Sequence, residues 1–185
     1  AVFDSVTTQV ARITKTLTVA GGYTVTNWTT SYPITQPTTL DAAQGGRVLF
    51  ITGAIDVGVQ NLRLIRGSTT TNGGGIFNSG ATTTISNTLV FSNSATNSGG
   101  GILNQNVGKI ILNATRVTSN TTATGDGGGI ANQGGMVSLT NGSRVQANVT
   151  GGWGGGGIAN LGGQLTIDAS TVASNTATSG GGLYN

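Results

Sequence analysis

GGGIFN at residues 73–78 returns as GGGILN at 99–104, as GGGIAN at 127–132 and 155–160, and as GGGLYN at 180–185. The copies start 26, 28, 28 and 25 residues apart. A second motif keeps the same time: VFSN at 90–93, VTSN at 117–120, VQAN at 145–148 and VASN at 172–175, with asparagines 27, 28 and 27 residues apart. Between the two lies a β-like segment: TTTISN, KIILNA, MVSLTN or QLTIDA. Each repeat therefore holds three short strands separated by bends of Gly, Asn, Ser and Thr, with no apolar spacing of helical period.

Repeats of this length bury their apolar side chains only by stacking, which makes a solenoid. The expected fold is all-β: a right-handed parallel β-helix, or β-solenoid, of about six to seven coils of 25–28 residues. The hand follows from the preference of parallel crossovers, and each coil adds about 4.8 Å of rise. Alternation along the strands assigns Ile76, Ile102, Ile130, Ile158 and Leu183 to one inward column, with Asn78, Asn104, Asn132, Asn160 and Asn185 two residues on. Val90, Val117, Val145 and Val172 form a second wall, with Thr88, Thr115, Ser143 and Ser170 beside them. Ile85, Leu112 and Ile167 form the third. An extra residue near Gly142 is expected to put Leu139 out of register. The glycines permit tight turns and positive φ, and the asparagine of each GGG motif can bond through its amide to the same amide one coil away.

The N-terminal third belongs to the same object, and the chain is expected to be a single domain over residues 1–185. Residues 1–54 read as irregular coils, with an insertion at 23–37 that carries Tyr23, Trp28, Tyr32 and both prolines; residues 55–185 are the regular array. Solenoid ends are exposed strand edges. AVFDSV at 1–6 reads as a strand closing one end, whereas the fifth GGGΦxN has nothing cap-like after it. The chain begins without Met and reads as a processed or excised piece.

Composition limits the chemistry. Only 7% of the 185 residues are charged, and there is no Glu, His or Cys. The net charge is +3 without any run of Lys or Arg, so nucleic acid is not an expected partner. No apolar run is long enough for a membrane span. Disulfides and thiol chemistry are excluded.

The GGG[IL] and VxxN motifs resemble the GGA[ILV] and FxxN repeats of the chlamydial polymorphic outer-membrane proteins, and more nearly the GGGIYN-type repeats of large secreted bacterial β-helix proteins. The similarity covers residues 55 to 185, and KTLTVAGGYTVTNWTT with TTLDAAQGGRVLFITG is similar to the opening of the same class. The resemblance implies an extracellular or cell-surface protein with structural or adhesive duties. Gly for Ala and Val for Phe depart from the chlamydial pattern.

The alternative is a carbohydrate-binding or polysaccharide-cleaving β-helix. Cleavage needs paired carboxylates or an acid beside a base. The acids Asp4, Asp41, Asp56, Asp126 and Asp168 show no stacking on neighbouring coils, with Asp41 and Asp56 as the pair that an irregular register could bring together. The chain is therefore expected not to be an enzyme, and to need no cofactor and no metal. Arg116 and Arg144, with Arg63 two coils earlier, are expected to share an outward column suited to an acidic glycan. Trp28, Tyr32 and Trp153 can stack on sugars, although Trp28 and Tyr32 are expected to pack the insertion against its coil. Phe77, Leu103, Ala131, Ala159 and Tyr184 form an outward apolar stripe, expected to contact another subunit laterally or to lie under a loop. Val2, Phe3 and Val6 at one end and Leu183 and Tyr184 at the other are candidate edges for end-to-end assembly. The expected partners are further coils, a second copy of the chain, or surface glycans.

Overall fold

The computed structural model describes residues 2–3 and 8–185, with side chains from residue 8 onward. The GGG motif feeds the strands Ile76–Ser79, Ile102–Gln105, Ile130–Gln133 and Ile158–Leu161, which pair in parallel with each Ile beside the next. Arg47–Thr52 and Thr8–Ile13 continue this first face upward, and Leu183–Tyr184 continues it downward. The second face runs from Leu17–Ala20 through Asp56–Gln60, Thr82–Ser86, Lys109–Asn113 and Met136–Thr140 to Gln164–Ile167. The third runs from Thr38–Asp41 through Leu62–Ile65, Leu89–Phe91, Arg116–Thr118 and Arg144–Gln146 to Thr171–Ala173. The protein is a parallel β-solenoid.

Two counts differ from the sequence expectation. The regular array makes about five turns, because the first coil is opened by the insertion and Leu183–Tyr184 only begins another. A fourth face of two-residue strands is also present: Ser68–Thr69, Ser94–Ala95, Thr121–Thr122 and Val149–Thr150. Its short, hydroxyl-rich segments carry no alternating apolar signal and read as bends. They pair mainly through the backbone, as in Thr96 N–H to Thr69 O at 2.9 Å, with the Ser94 hydroxyl donating to Ser68 Oγ at 3.2 Å.

The core is columnar. Ile76, Ile102, Ile130 and Ile158 are fully buried, as are Val90, Val117, Val145, Ile85 and Leu112. Leu139 is fully buried and pairs with both Leu112 and Ile167, so it stands in register. The extra residue is absorbed after that strand, where Asn141 and Gly142 both take positive φ (52° and 75°). On the first face Val2–Phe3 adds an antiparallel strand above Thr8–Gln9, while Val6 lies outside the described residues.

Polar columns run through the same interior. Asn78, Asn104, Asn132, Asn160 and Asn185 are linked Nδ2 to Oδ1 at 2.8, 2.9, 2.7 and 2.6 Å. A second ladder joins Asn93, Asn120, Asn148 and Asn175, each step at 3.0 Å. Buried amides are tolerated because each coil supplies the partner for the next. Thr115 and Ser143 add hydroxyls that accept from the Thr88 and Thr115 N–H groups one coil earlier.

Corners between the second and third faces, and between the third and fourth, are made by left-handed residues, single except at Asn141–Gly142. Most are not glycine: Asn61, Asn87, Ala114, Asn141 and Ala169 at one corner, Arg66, Ser92, Ser119, Ala147 and Ser174 at the other. Left-handed geometry costs an alanine about 1–2 kcal/mol. Ala147 is exposed at φ 52°. Ala147→Gly should therefore raise stability by about 0.5–1 kcal/mol after allowing for glycine's greater unfolded-state freedom. Thermal melting against the parent chain checks it, and an unchanged or lower midpoint would refute the strain.

Candidate functional site

The insertion leaves the second face after Ala20 and rejoins the third at Thr38. Ser31 anchors it: its hydroxyl donates to Gly21 O at 2.6 Å and receives Asn61 Nδ2 at 3.1 Å. Asn27 caps its tip, with Oδ1 accepting the N–H groups of Thr29 and Thr30 at 3.0 Å. Held this way, Pro33, Ile34 and Pro37 overhang the corner of the second and third faces. Between them and the stack is a cleft of about 790 Å³, whose other wall includes Asn61, Asn87, Ala114, Leu89, Arg63 and Arg116.

The arginine column stands where the repeats imply. Thr39, Arg63, Leu89, Arg116, Arg144 and Thr171 follow one another strand by strand on the third face. Arg63, Arg116 and Arg144 are exposed. Among the described residues the one ion pair is Arg66 with Asp41. Asp41 is held below the usual carboxylate range by the hydrogen bond from Arg66 and then by the Ala43 N–H, and it is thereby occupied. The other arginines serve elsewhere. Arg47 is buried, donating to Asn72 O (2.8 Å) and Thr71 Oγ1 (2.6 Å) while lying 5.5 and 5.0 Å from the rings of Phe50 and Phe77. Arg12 lies over Phe50 at 5.7 Å.

The apolar stripe is not a lateral contact surface at its centre. Leu103, Ala131 and Ala159 are fully buried, Phe77 is half-buried, and only Tyr184 is exposed. The glycine turn before each strand folds back over it: a Cβ on Gly99 would lie 2.8 Å from Leu103 N, and one on Gly73 3.0 Å from Phe77 Cβ. Sequence alternation placed these side chains outside the core correctly but could not show the turn that covers them. Upward the column continues through Phe50, stacked on Phe77 at 4.8 Å, to Arg12.

The aromatic candidates are dispersed. Trp28 is 75% exposed, contrary to the expectation that it packs against the coil; the insertion is fixed by hydrogen bonds instead. Tyr32 is partly exposed, and its hydroxyl accepts from Asn27 Nδ2. Trp153 is 77% exposed, beside Thr124 and Thr178 at the fourth-face bend, and does not line the insertion cleft. Among the described residues the acids are dispersed as well, and Asp4 lies outside them. Asp41 is on the third face and Asp56 opens a strand of the second, so the irregular early coils do not place them on one face. Asp126 accepts the N–H of Gly154, from the equivalent turn of the next coil, at 2.9 Å.

Fold and site together define the class: a parallel β-solenoid with an overhanging insertion and a basic column. No protein-family model, curated protein or solved structure matches the chain.

Proposed function

We propose that the chain is a structural or adhesive module of an extracellular or cell-surface protein. The observation that carries this reading is the pair of buried asparagine ladders, which tie successive coils into one rod through side chains as well as backbone. A rod that presents each repeat position as a straight outer column suits scaffolding and repeated weak contact. The likeness of its motifs to those of secreted bacterial β-helix proteins supports the location. Assembly through the ends is a second reading. On the last coil Ile167 and Leu183 are 41% and 43% exposed, whereas Leu139 and Ile158 above them are fully buried. Strand edges of this kind take a further strand by backbone pairing, which is how a second copy would add.

Negative-stain electron microscopy with sedimentation tests both readings. Rods one coil-stack wide are expected. Lengthening into filaments with concentration supports end-to-end assembly, and uniform short rods at all concentrations remove it. A globular or aggregated particle would overturn the structural reading.

A further inference from the structure

The third face concentrates cations that the fold does not use. Arg116 and Arg144 are side by side on adjacent strands, and Arg63 is two strands above Arg116. Like charges directly opposite one another on a sheet oppose folding, and no acid sits between them in the column. Of the acids the topology brings nearest, Asp41 is bound to Arg66, and Asp168 lies at the corner before Thr171, one coil beyond Arg144. The insertion is the one large departure from the repeat, and it overhangs this column to make the cleft.

We infer that the cleft binds an acidic polysaccharide, a chain of sugars bearing carboxylates, laid along the stacking axis. The inference rests on the adhesive reading and names its ligand class. Each wall matches one part of such a polymer. Guanidinium groups take carboxylates in paired hydrogen bonds, and they recur at multiples of the coil rise, about 4.8 Å. Pro33, Ile34 and Leu89 offer apolar surface to the C–H faces of sugar rings, and Ile34 is 92% exposed. The amides of Asn61 and Asn87 border the same cleft and are of the type that bonds hydroxyls. Nucleic acid is the less suitable polyanion: no aromatic ring lines the cleft to stack a base, and no cation cluster follows a phosphate backbone.

The test is titration calorimetry of the full chain with hexagalacturonate at low salt, with cellohexaose and a single-stranded hexathymidylate as comparators. Binding of hexagalacturonate that weakens as salt rises is expected, without binding of cellohexaose. Arg63→Gln with Arg116→Gln should weaken it by about tenfold or more. Ile34→Ser, at an exposed position, should weaken it by about threefold through the insertion wall. Arg12→Gln, which lies outside the cleft, should leave it unchanged. Absence of hexagalacturonate binding at millimolar concentration, equal loss in Arg12→Gln and the cleft variant, or tighter binding of hexathymidylate would each overturn the inference. Rods by microscopy together with no hexagalacturonate binding would remove this site while leaving the structural reading standing.

Discussion

Gly128→Ala is expected to cost about 4 kcal/mol, the upper end for a single substitution, and to lower the melting midpoint by roughly 10 °C. The reason is space, not φ. A Cβ on Gly128 would lie 2.3 Å from Val149 O and 2.7 Å from Gly156 O. Both are backbone atoms, and neither can swing aside as a side chain would. The same crowding recurs at Gly74, Gly100 and Gly156, whose added Cβ would meet Ser94 O at 2.2 Å, Thr121 O at 2.3 Å and Thr176 O at 2.3 Å. At this point the start of each coil passes the strand that ends it. Gly134 supplies the contrast: its φ is 79° and no atom lies within 4 Å of an added Cβ. Gly134→Ala should cost only the left-handed penalty, about 1–2 kcal/mol. Far-UV circular dichroism melts of the two variants decide the matter, and equal costs would show that backbone crowding is not what the middle glycine relieves.

Asn120→Ala is the second large effect, about 3–5 kcal/mol from several buried groups left unsatisfied at once. Asn120 Oδ1 accepts both the backbone N–H and the Nδ2 of Asn93 at 3.0 Å. Its own Nδ2 donates to Val90 O at 3.1 Å and to Asn148 Oδ1 at 3.0 Å. Alanine removes all of these from a fully buried position, and the neighbouring coils carry the unpaired groups. Urea denaturation of the variant and the parent measures the loss. A change below about 1 kcal/mol, the net worth of a single hydrogen bond, would mean that the ladder does not hold the coils together.

These two residues also mark where sequence reading succeeded and where it stopped. The asparagine column of the GGG motif was legible because the repeat brings identical residues to identical places, whereas the ladder through Asn120 was seen only as an even spacing of asparagines. The glycine triplet was legible as a turn, yet its positions do different work. Gly127 takes positive φ (68°), while Gly128 and Gly129 are needed for close backbone approach. That distinction depends on what lies across the coil, more than twenty residues away in the chain. The left-handed alanines at 114, 147 and 169 gave no signal, since alanine has no local preference for that conformation.

The candidate site divides in the same way. The column of Arg63, Arg116 and Arg144 followed from counting residues, because in-register parallel pairing turns equal sequence spacing into adjacency. The stripe of Leu103, Ala131 and Ala159 was assigned to its proper side of the strand, with lateral contact and cover by a loop left as alternatives; its centre is covered. Period-2 alternation tells inside from outside the core and says nothing of a turn folding over the outside. The stack of Arg47 and Phe50 on Phe77 was invisible because Arg47 and Phe50 come from the irregular coils, where the period is weak.

By itself the sequence determined a parallel solenoid, its core columns, the amide ladder of the GGG motif and its basic column. Each of these repeats, and stacking forces repeated residues into contact. Tertiary structure alone decided the fourth face, the cover over the apolar stripe, the exposure of Trp28 and the cleft beneath Pro33, Ile34 and Pro37. Those features occur once, or rest on backbone pairing without a side-chain pattern. They exist only where the chain has come back to meet itself.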